Sequence, residues 1–236
     1  MNFLDDQKLI TFDEKLHKYY TKDGKELMSV TRFIELFTNP FDPDGSILKN
    51  KAQKLNLEPS ALKNQWDRKR DDAASRGTIF HYDFNQYLRK KIIPKGKNGE
   101  IIKKLTEEHP FKGKVYSEVV LFNDFICGTA DIIEVIKDGT INIKDFKSNE
   151  KLSTYSFGKY MFPPLNHIPD GKVQRYELQI NIYLYLLCSK YDFWPGIDNC
   201  IFWVKIDKGK VEKIPVPLRV KEVEDMIEFY KRGLMR

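Results

Sequence analysis

The sequence predicts an α/β domain in which helices flank a central mixed β-sheet. Three extended runs, at 115–122, 125–136 and 140–147, are separated by short polar turns typical of β-hairpins. Amphipathic helical patterns precede and follow these runs, over 73–91 and 173–190. Because a sheet and a helix each bury an apolar face against a neighbouring layer, strands grouped between such helices predict a sheet covered by helices.

The N-terminal part predicts a smaller set of elements. Residues 9–28 form brief extended runs separated by charged turns, which indicates a short β-meander. Ser29 is a good N-cap for a helix that ends at Asn39-Pro40. Residues 41–72 are polar and charged, and they predict helix in pieces.

The C-terminal part predicts a long connection and then the end of the fold. Residues 148–172 form an irregular segment, and connections of this length are usually functional or disordered. After the helix at 173–190 we expect strands near 199–206 and 210–216 and a final amphipathic helix over 219–235.

Composition limits the class of protein. The 40 Lys and Arg residues exceed the 34 Asp and Glu residues, and the net charge of +6 favours a polyanionic partner or simply a well solvated surface. Three cysteines without a CxxC pair argue against a disulfide framework, a zinc finger and a four-cysteine iron–sulfur cluster. No signal peptide or membrane span is recognisable, so we expect a soluble protein of a reducing cytoplasm with no membrane partner.

The strand at 140–147 predicts a reactive centre. Residues of one parity share a face, so Asp145 and Lys147 follow Ile141 and Ile143 on one side, with the two charged groups about 7 Å apart along the strand. The tripeptide Asp-x-Lys recurs elsewhere in the chain, but only this copy ends an apolar strand. The alternative interpretation is a buried ion pair that merely closes the strand.

A second acid lies on the preceding strand. Asp131 is embedded among apolar residues at 128–133, where an unpaired carboxylate is costly unless it binds a cation or hydrogen-bond donors. Carboxylates that hold divalent cations, together with a nearby lysine, are the parts that phosphodiester hydrolysis needs. Asp131, Asp145 and Lys147 are therefore the candidate catalytic residues.

Four short segments follow one another in a distinctive order: Arg76 to His81, Gly128 to Asp131, Asp145 to Ser148, and Gln179 to Tyr183. In this order they resemble the motifs of the PD-(D/E)XK nuclease superfamily, and within it the RecB-like nucleases. The opening at 12–19 and the run Ser29-Val30-Thr31 look like phage-borne exonucleases of that group. The similarity spans about residues 8–190 and implies a restriction-endonuclease-like core.

The resemblance implies a role for individual residues. Asp131 and Asp145 match metal ligands, Lys147 matches the catalytic lysine, and the backbone carbonyl of Phe146 would be a further ligand. His81 matches a histidine that approaches the metal from a helix, although on an apolar stripe it is otherwise a core residue. Glu118 resembles an acid that helps to hold a second cation, or it is an exposed strand residue.

The resemblance and the composition also predict residues around the reacting groups. Gln179 and Tyr183 lie four apart on one helix face and would act at the rim of the catalytic site, although Tyr183 alone would be an ordinary packing residue. The predicted contacts to nucleic acid are Arg76, Thr78 and Ser148 from the motifs, and Tyr155, Lys159 and Tyr160 from the basic and aromatic loop. The loop aromatics would otherwise pack the loop onto the body of the protein.

The resemblance implies a Mg²⁺- or Mn²⁺-dependent deoxyribonuclease, an exonuclease of phage origin that serves replication or recombination in the host cytoplasm. Its partner would be single- or double-stranded DNA, and no oligomeric state is indicated. Residues 1–236 would form a single nuclease domain, with 1–72 as an N-terminal elaboration and 73–236 as the catalytic core. The alternatives are a structure- or sequence-specific endonuclease and an inactive nucleic-acid-binding module on the same fold.

Overall fold

The computed structural model describes residues 3–16, 18–40, 45–152, 154–156 and 158–234. His17, which belongs to the family-like opening, lies outside them, as do residues 41–44 of the segment for which helix in pieces is expected. None of the described helices combines the length and the apolarity that a membrane span requires.

Within the described residues, nine strands form one mixed sheet. They are β1 (Ile10–Asp13), β2 (Lys18–Thr21), β3 (Glu26–Ser29), β4 (Lys114–Phe122), β5 (Ile126–Val135), β6 (Thr140–Lys147), β7 (Trp194–Pro195), β8 (Cys200–Lys205) and β9 (Lys210–Pro215). Along the sheet the order is β1-β2-β3-β5-β6-β8-β9, with β4 beside β5 and β7 beside β6. The pairs β3–β5, β6–β7 and β6–β8 are parallel, and the others are antiparallel.

Helices cover both faces of the sheet. They are α1 (Phe3–Asp6), α2 (Val30–Glu35), α3 (Ser46–Lys54), α4 (Pro59–Lys90), α5 (Lys97–Glu108), α6 (Lys172–Cys188) and α7 (Val220–Lys231). Neighbouring strand residues point to opposite faces. Ile133 and Ile143 accordingly pack in a core with α2, α6 and α7, whereas Ile132 and Phe146 pack in a second core with α4 and α5.

The predicted α/β architecture with a mixed sheet between helices is confirmed. The N-terminal meander and the two hairpins that join β4, β5 and β6 form where the turn residues predict them. Ser29 caps α2 as expected, because its hydroxyl oxygen accepts a 3.1 Å hydrogen bond from the backbone N–H of Arg32.

Two helix boundaries differ from the prediction. The helix expected over 73–91 already begins at Pro59 and runs without a break through residue 72. Its first turns pack Leu62 against α3 and bury little else, so they lack the apolar stripe by which a helix is recognised. The helix after Ser29 ends at Glu35, earlier than Asn39, and tighter turns continue the chain. The elements α1 and β7 were not predicted.

The sheet opens along one of the two edges of β5. The intact edge pairs with β4 between residues 127 and 135. The other edge pairs with β3 at Ile126 and Cys127 and with β6 at residues 132–135. Between these two ladders, residues 128–131 have no strand partner on that edge within the described part of the chain. We call this opening the fork, and the candidate site lies there.

Candidate functional site

Three carboxylates lie in a row across β4, β5 and β6. The antiparallel register of β4 with β5 pairs Ser117 with Ile132 and Val119 with Ala130, so Glu118 lies between these pairs at the level of Asp131. The register of β5 with β6 ends at the pair Ile132–Lys144, and the next residues toward the fork are Asp131 and Asp145. Directly opposed residues of neighbouring strands have side chains about 5 Å apart. The strand pairing alone therefore brings three acids from distant segments to one level of the sheet.

Asp131 ties β5 to β6 at the fork. It is 9% exposed, and its Oδ2 atom accepts a 2.7 Å hydrogen bond from the backbone N–H of Phe146. That N–H lies beyond the last pair of the β5–β6 ladder, so the carboxylate takes the place of a missing backbone acceptor. The N–H and C=O of one strand residue face the same neighbour, so the Phe146 carbonyl also points toward β5.

His81 reaches two of the carboxylates from α4. Its Nδ1 atom lies 3.3 Å from Glu118 Oε1 and 3.5 Å from Asp131 Oδ1. The ring packs edge-on against Phe146, with the ring centres 5.6 Å apart. His81, Glu118 and Asp131 each offer one ligand atom, and these three atoms lie within 4.8 Å of one another.

Lys147 balances the third carboxylate. Its Nζ atom lies 2.5 Å from Asp145 Oδ2 and 4.6 Å from the centre of the Tyr176 ring. The short contact makes Lys147 the counter-charge of the buried Asp145 carboxylate. Tyr176 is itself held, because its hydroxyl donates a 2.9 Å hydrogen bond to Asn149 Oδ1.

Burial and mutual charge set the protonation of the cluster. Burial raises the pKa of Asp145 to about 6 and also raises the pKa of Asp131, although nearby cations oppose both shifts. Burial alone would lower the pKa of His81, but the negative charges of Asp131 and Glu118 outweigh it and raise that pKa to about 9. For Lys147 the attraction of Asp145 likewise outweighs burial and raises the pKa. At neutral pH His81 and Lys147 are therefore protonated and lie beside the acids.

Glu118 has a strained backbone at this site. Its φ is +54°, in the left-handed region that side chains other than glycine rarely adopt. Such a conformation costs roughly 1–2 kcal/mol, and strain of this kind concentrates at functional sites. The irregularity leaves the register with β5 unchanged on both sides. The strain therefore coincides with the residue that faces Asp131 and His81.

Two glycines let neighbouring elements approach the fork. A Cβ atom at Gly128 would lie 2.9 Å from the Tyr183 ring, so only glycine fits beneath this residue of α6. Tyr183 is buried, and its hydroxyl accepts a 3.1 Å hydrogen bond from Gln179 Nε2. A Cβ atom at Gly77 would lie 3.0 Å from Ser148 Oγ, so glycine also allows the close approach of α4 to the end of β6.

The residues at the fork fit a divalent cation. Carboxylates and a backbone carbonyl are the oxygen ligands that Mg²⁺ and Mn²⁺ prefer, and an imidazole is acceptable to Mn²⁺. The side chain of Asp145 is 2% exposed, and a buried carboxylate requires a positive charge or a donor beside it. Lys147 Nζ supplies that charge at 2.5 Å, and a bound cation would supply it as well. Asp131, Asp145, the Phe146 carbonyl, Glu118 and His81 are the groups that would hold the ion.

Two adjoining clefts open at the C-terminal end of β6. The first cleft has a volume of about 760 Å³ and extends from Lys147 and Gln179 to Lys172. The second cleft has a volume of about 510 Å³ and contains Arg76 and Trp203. Residues 148–151, together with Lys69 and Ala73 of α4, line both clefts. A ligand that follows this surface therefore passes the end of β6, where Lys147 lies.

The residues predicted to contact nucleic acid fall into two groups. Ser148 lines both clefts, Arg76 lines the second, and Thr78 lies with His81 and Glu118 in a smaller depression of about 370 Å³. The loop residues Tyr155, Lys159 and Tyr160 are exposed but line none of these three cavities. The backbone of the loop is instead tied back near α2, where Asn39 Nδ2 donates a 2.8 Å hydrogen bond to the Tyr160 carbonyl.

The sequence analysis missed several residues that lie at the site. Tyr176 contacts Lys147 and lies three positions before Gln179, so the spacing of one helix face could have indicated it. Lys69, Lys151 and Lys172 line the clefts. Lys151 and Lys172 belong to the basic segment 148–172, but no motif marks these two lysines or Lys69 individually.

Comparison with known proteins gives little further information. No family model matches this chain, and no curated protein matches it. Among solved structures it is similar to one described as a crystal structure of SSO0001. The sequence identity is 15%, the TM-score is 0.39, and the match covers 98% of this chain and 84% of that one. Evidence on function therefore comes from the side chains at the fork.

Proposed function

We propose that this protein is a metal-dependent deoxyribonuclease of the PD-(D/E)XK class that acts as an exonuclease. The observation that carries the proposal is the row of Glu118, Asp131 and Asp145 at the fork, with Lys147 at its end beside two basic clefts. This arrangement combines acids that can hold a metal ion, a lysine beside them and an open, positively charged approach. It suits a substrate with a phosphate backbone.

The convergence of the four motif segments supports the family assignment. Segments 76–81, 128–131, 145–148 and 179–183 are far apart in the chain and lie on α4, β5, β6 and α6. Contacts between His81 and Asp131 and between Gly128 and Tyr183 bring all of these elements to the fork. A chance occurrence of four short motifs would not require them to share one site.

The side chains divide the work of hydrolysis. When bound, Mg²⁺ or Mn²⁺ would polarise the scissile phosphate and lower the pKa of the attacking water. Asp131 and Asp145 would hold the ion, and Lys147 lies beside Asp145 at the edge of that site. The ammonium group of Lys147 would donate to a phosphate oxygen as negative charge develops there.

Gln179 and Tyr183 support this arrangement from α6. The hydrogen bond between them orients both side chains, and Gln179 lines the first cleft together with Lys147. We propose that Gln179 contacts the substrate backbone and that Tyr183 keeps Gln179 in position. On the other side of the row, His81 and Glu118 would complete the metal site.

Digestion of three DNA substrates tests the proposal. End-labelled linear duplex, end-labelled single strand and covalently closed circles are incubated with Mg²⁺, Mn²⁺ or EDTA, using the wild type, Lys147→Ala and Lys137→Ala. Lys137 lies in the turn at the other end of β6, so its variant is a matched control on the same strand. We expect metal-dependent loss of linear DNA that Lys147→Ala abolishes and Lys137→Ala preserves.

Other outcomes of this digestion separate the alternative functions. Nicked or linearised circles identify an endonuclease. Binding of DNA without cleavage, by protein with a normal melting curve and with either metal present, identifies a nucleic-acid-binding module and rejects the enzymatic proposal. Equal loss of activity in Lys147→Ala and Lys137→Ala rejects the assigned site.

A further inference from the structure

We propose that the two clefts form one continuous track for single-stranded DNA, so that the strand reaches the carboxylates only after it has separated from its complement. We call this surface the basic track and define it by Lys69, Arg76, Lys151 and Lys172. The inference rests on the proposed function and specifies the form of substrate that the fork accepts.

The charges of the basic track are available to phosphates. Within the described part of the chain, Arg76, Lys151 and Lys172 are exposed and form no ion pair. Lys69 approaches Glu150 only at 4.0 Å, and both of these side chains are more than 70% exposed, so water screens the pair. Cations of this kind bind a phosphate backbone by releasing its counterions.

The depth of the carboxylates favours a separated strand. The side chains of Asp131 and Asp145 are 11% and 2% exposed, and that of Lys147 is 17% exposed. Lys147 lines the first cleft, so a phosphate that enters this cleft between α4 and α6 meets Lys147 at the edge of the buried acids. Duplex DNA is stiff over about 50 nm, and each strand is paired with its complement along its length, whereas a single strand bends freely. The depth of the fork thus excludes the duplex form more strongly than the single-stranded form.

The clefts also provide rigid aromatic side chains. Tyr176 lines the first cleft and Trp203 lines the second. Asn149 holds both, because its side-chain oxygen accepts from the Tyr176 hydroxyl and its backbone carbonyl accepts a 2.8 Å hydrogen bond from the Trp203 indole. Unpaired bases stack on aromatic rings, and paired bases do not expose their faces to them. Rings held in a basic cleft are therefore suited to a single strand.

Binding measured without cleavage tests the inference. A fluorescein-labelled oligo(dT) of about 20 nucleotides, longer than the ~4–16 nucleotides of typical single-strand sites, is bound in EDTA and followed by anisotropy. Circular single-stranded DNA and relaxed circular duplex, neither of which has ends, are the competitors. We expect the single-stranded circle to displace the probe at a nucleotide concentration at least ten-fold lower than the duplex circle.

Charge variants locate the binding surface. Lys151→Ala/Lys172→Ala removes two charges of the basic track, whereas Lys103→Ala/Lys104→Ala removes two charges from α5, outside both clefts. With a slope of about 0.7 per phosphate contact on a single strand, the first pair should reduce the salt dependence, log K against log salt, by about 1.4. It should also weaken binding at least ten-fold, while the α5 pair changes neither quantity.

Failure of the inference and failure of the proposed function are distinguishable. If the duplex circle competes as well as the single strand, or if the two double variants behave alike, the basic track is rejected even where the protein cleaves DNA. If single-strand binding follows the basic track but no metal supports cleavage, the track stands and the nuclease is rejected. All variants are compared by thermal melting, so a loss of binding is credited only to folded protein.

Discussion

Asp131 Oδ2 accepts a 2.7 Å hydrogen bond from the backbone N–H of Phe146, while Oδ1 of the same carboxylate lies 3.5 Å from His81. One oxygen therefore ties β5 to β6 where their ladder ends, and the other faces the candidate metal ligands. One oxygen of Asp131 therefore has a structural role, and the other has the proposed role in metal binding. Substitutions can separate these two roles.

We predict different outcomes for Asp131→Asn and Asp131→Ala. Asparagine keeps an acceptor for the Phe146 N–H but removes the charge, so the fold should remain stable while Mn²⁺ affinity falls at least ten-fold. Alanine leaves a buried N–H without an acceptor, which costs about 1–3 kcal/mol. Urea unfolding in EDTA measures the stability of each variant, and calorimetric titration measures its affinity for Mn²⁺. Equal stability of the two variants would show that the hydrogen bond contributes little.

The backbone of Glu118 predicts an unusual order of stability. Because its φ is +54°, Glu118→Gly should be more stable than Glu118→Ala by about 1 kcal/mol. In an ordinary strand glycine is the less stable of the two. Both variants should bind Mn²⁺ more weakly than the wild type, since both lack the carboxylate. Chemical unfolding in EDTA is the measurement, and an alanine variant as stable as the glycine variant would remove the case for strain at this residue.

Metal binding should release a proton at neutral pH. The pKa of His81 is raised to about 9 and that of Asp145 to about 6, so at pH 7 the histidine carries a proton that a metal ion must displace. Since both pKa values are raised, Mn²⁺ affinity should increase as the pH rises from about 6 to about 9. Calorimetry in two buffers of different ionisation enthalpy counts the protons released.

A matched pair of histidine variants supports this measurement. His81→Gln should abolish most of the proton release at pH 7, whereas His167→Gln should not change it, because His167 is exposed and lies beside Glu222, away from the fork. Proton release that persists in His81→Gln would assign the titrating group to another residue and would contradict the role of His81 as a ligand.

The close approach of α6 to β5 predicts that Gly128→Ala destabilises the protein. The added Cβ would lie 2.9 Å from the Tyr183 ring and 3.0 Å from Val30, and overpacking of this kind costs about 1–3 kcal/mol. Tyr183→Leu should recover part of that loss, because the smaller side chain no longer reaches Gly128. A double-mutant cycle by urea unfolding measures the coupling, and strictly additive effects would argue against the contact.

The row of acids could have been derived from the sequence in part. The turns Asn123-Asp124 and Lys137-Asp138-Gly139 set the registers of the two hairpins, and those registers place Glu118, Asp131 and Asp145 at one level. Local turn chemistry therefore carries long-range information about the site. The left-handed backbone at Glu118 could not be derived this way, because no turn residue or spacing marks it. The early start of α4 could not be derived either, because its first turns pack little besides Leu62 against α3.

The sequence alone predicts most of the strands, their hairpin turns, most of the helices and the parity that puts Asp145 and Lys147 on one face. These features depend on residues a few positions apart, which local sterics and apolar periodicity specify. Three features emerge only in the folded chain: β3 and β6 leave a fork beside β5, His81 and Lys147 balance its acids, and lysines without a motif line its clefts. Those features depend on how distant segments pack together, and the spacing of residues along the chain does not record that packing.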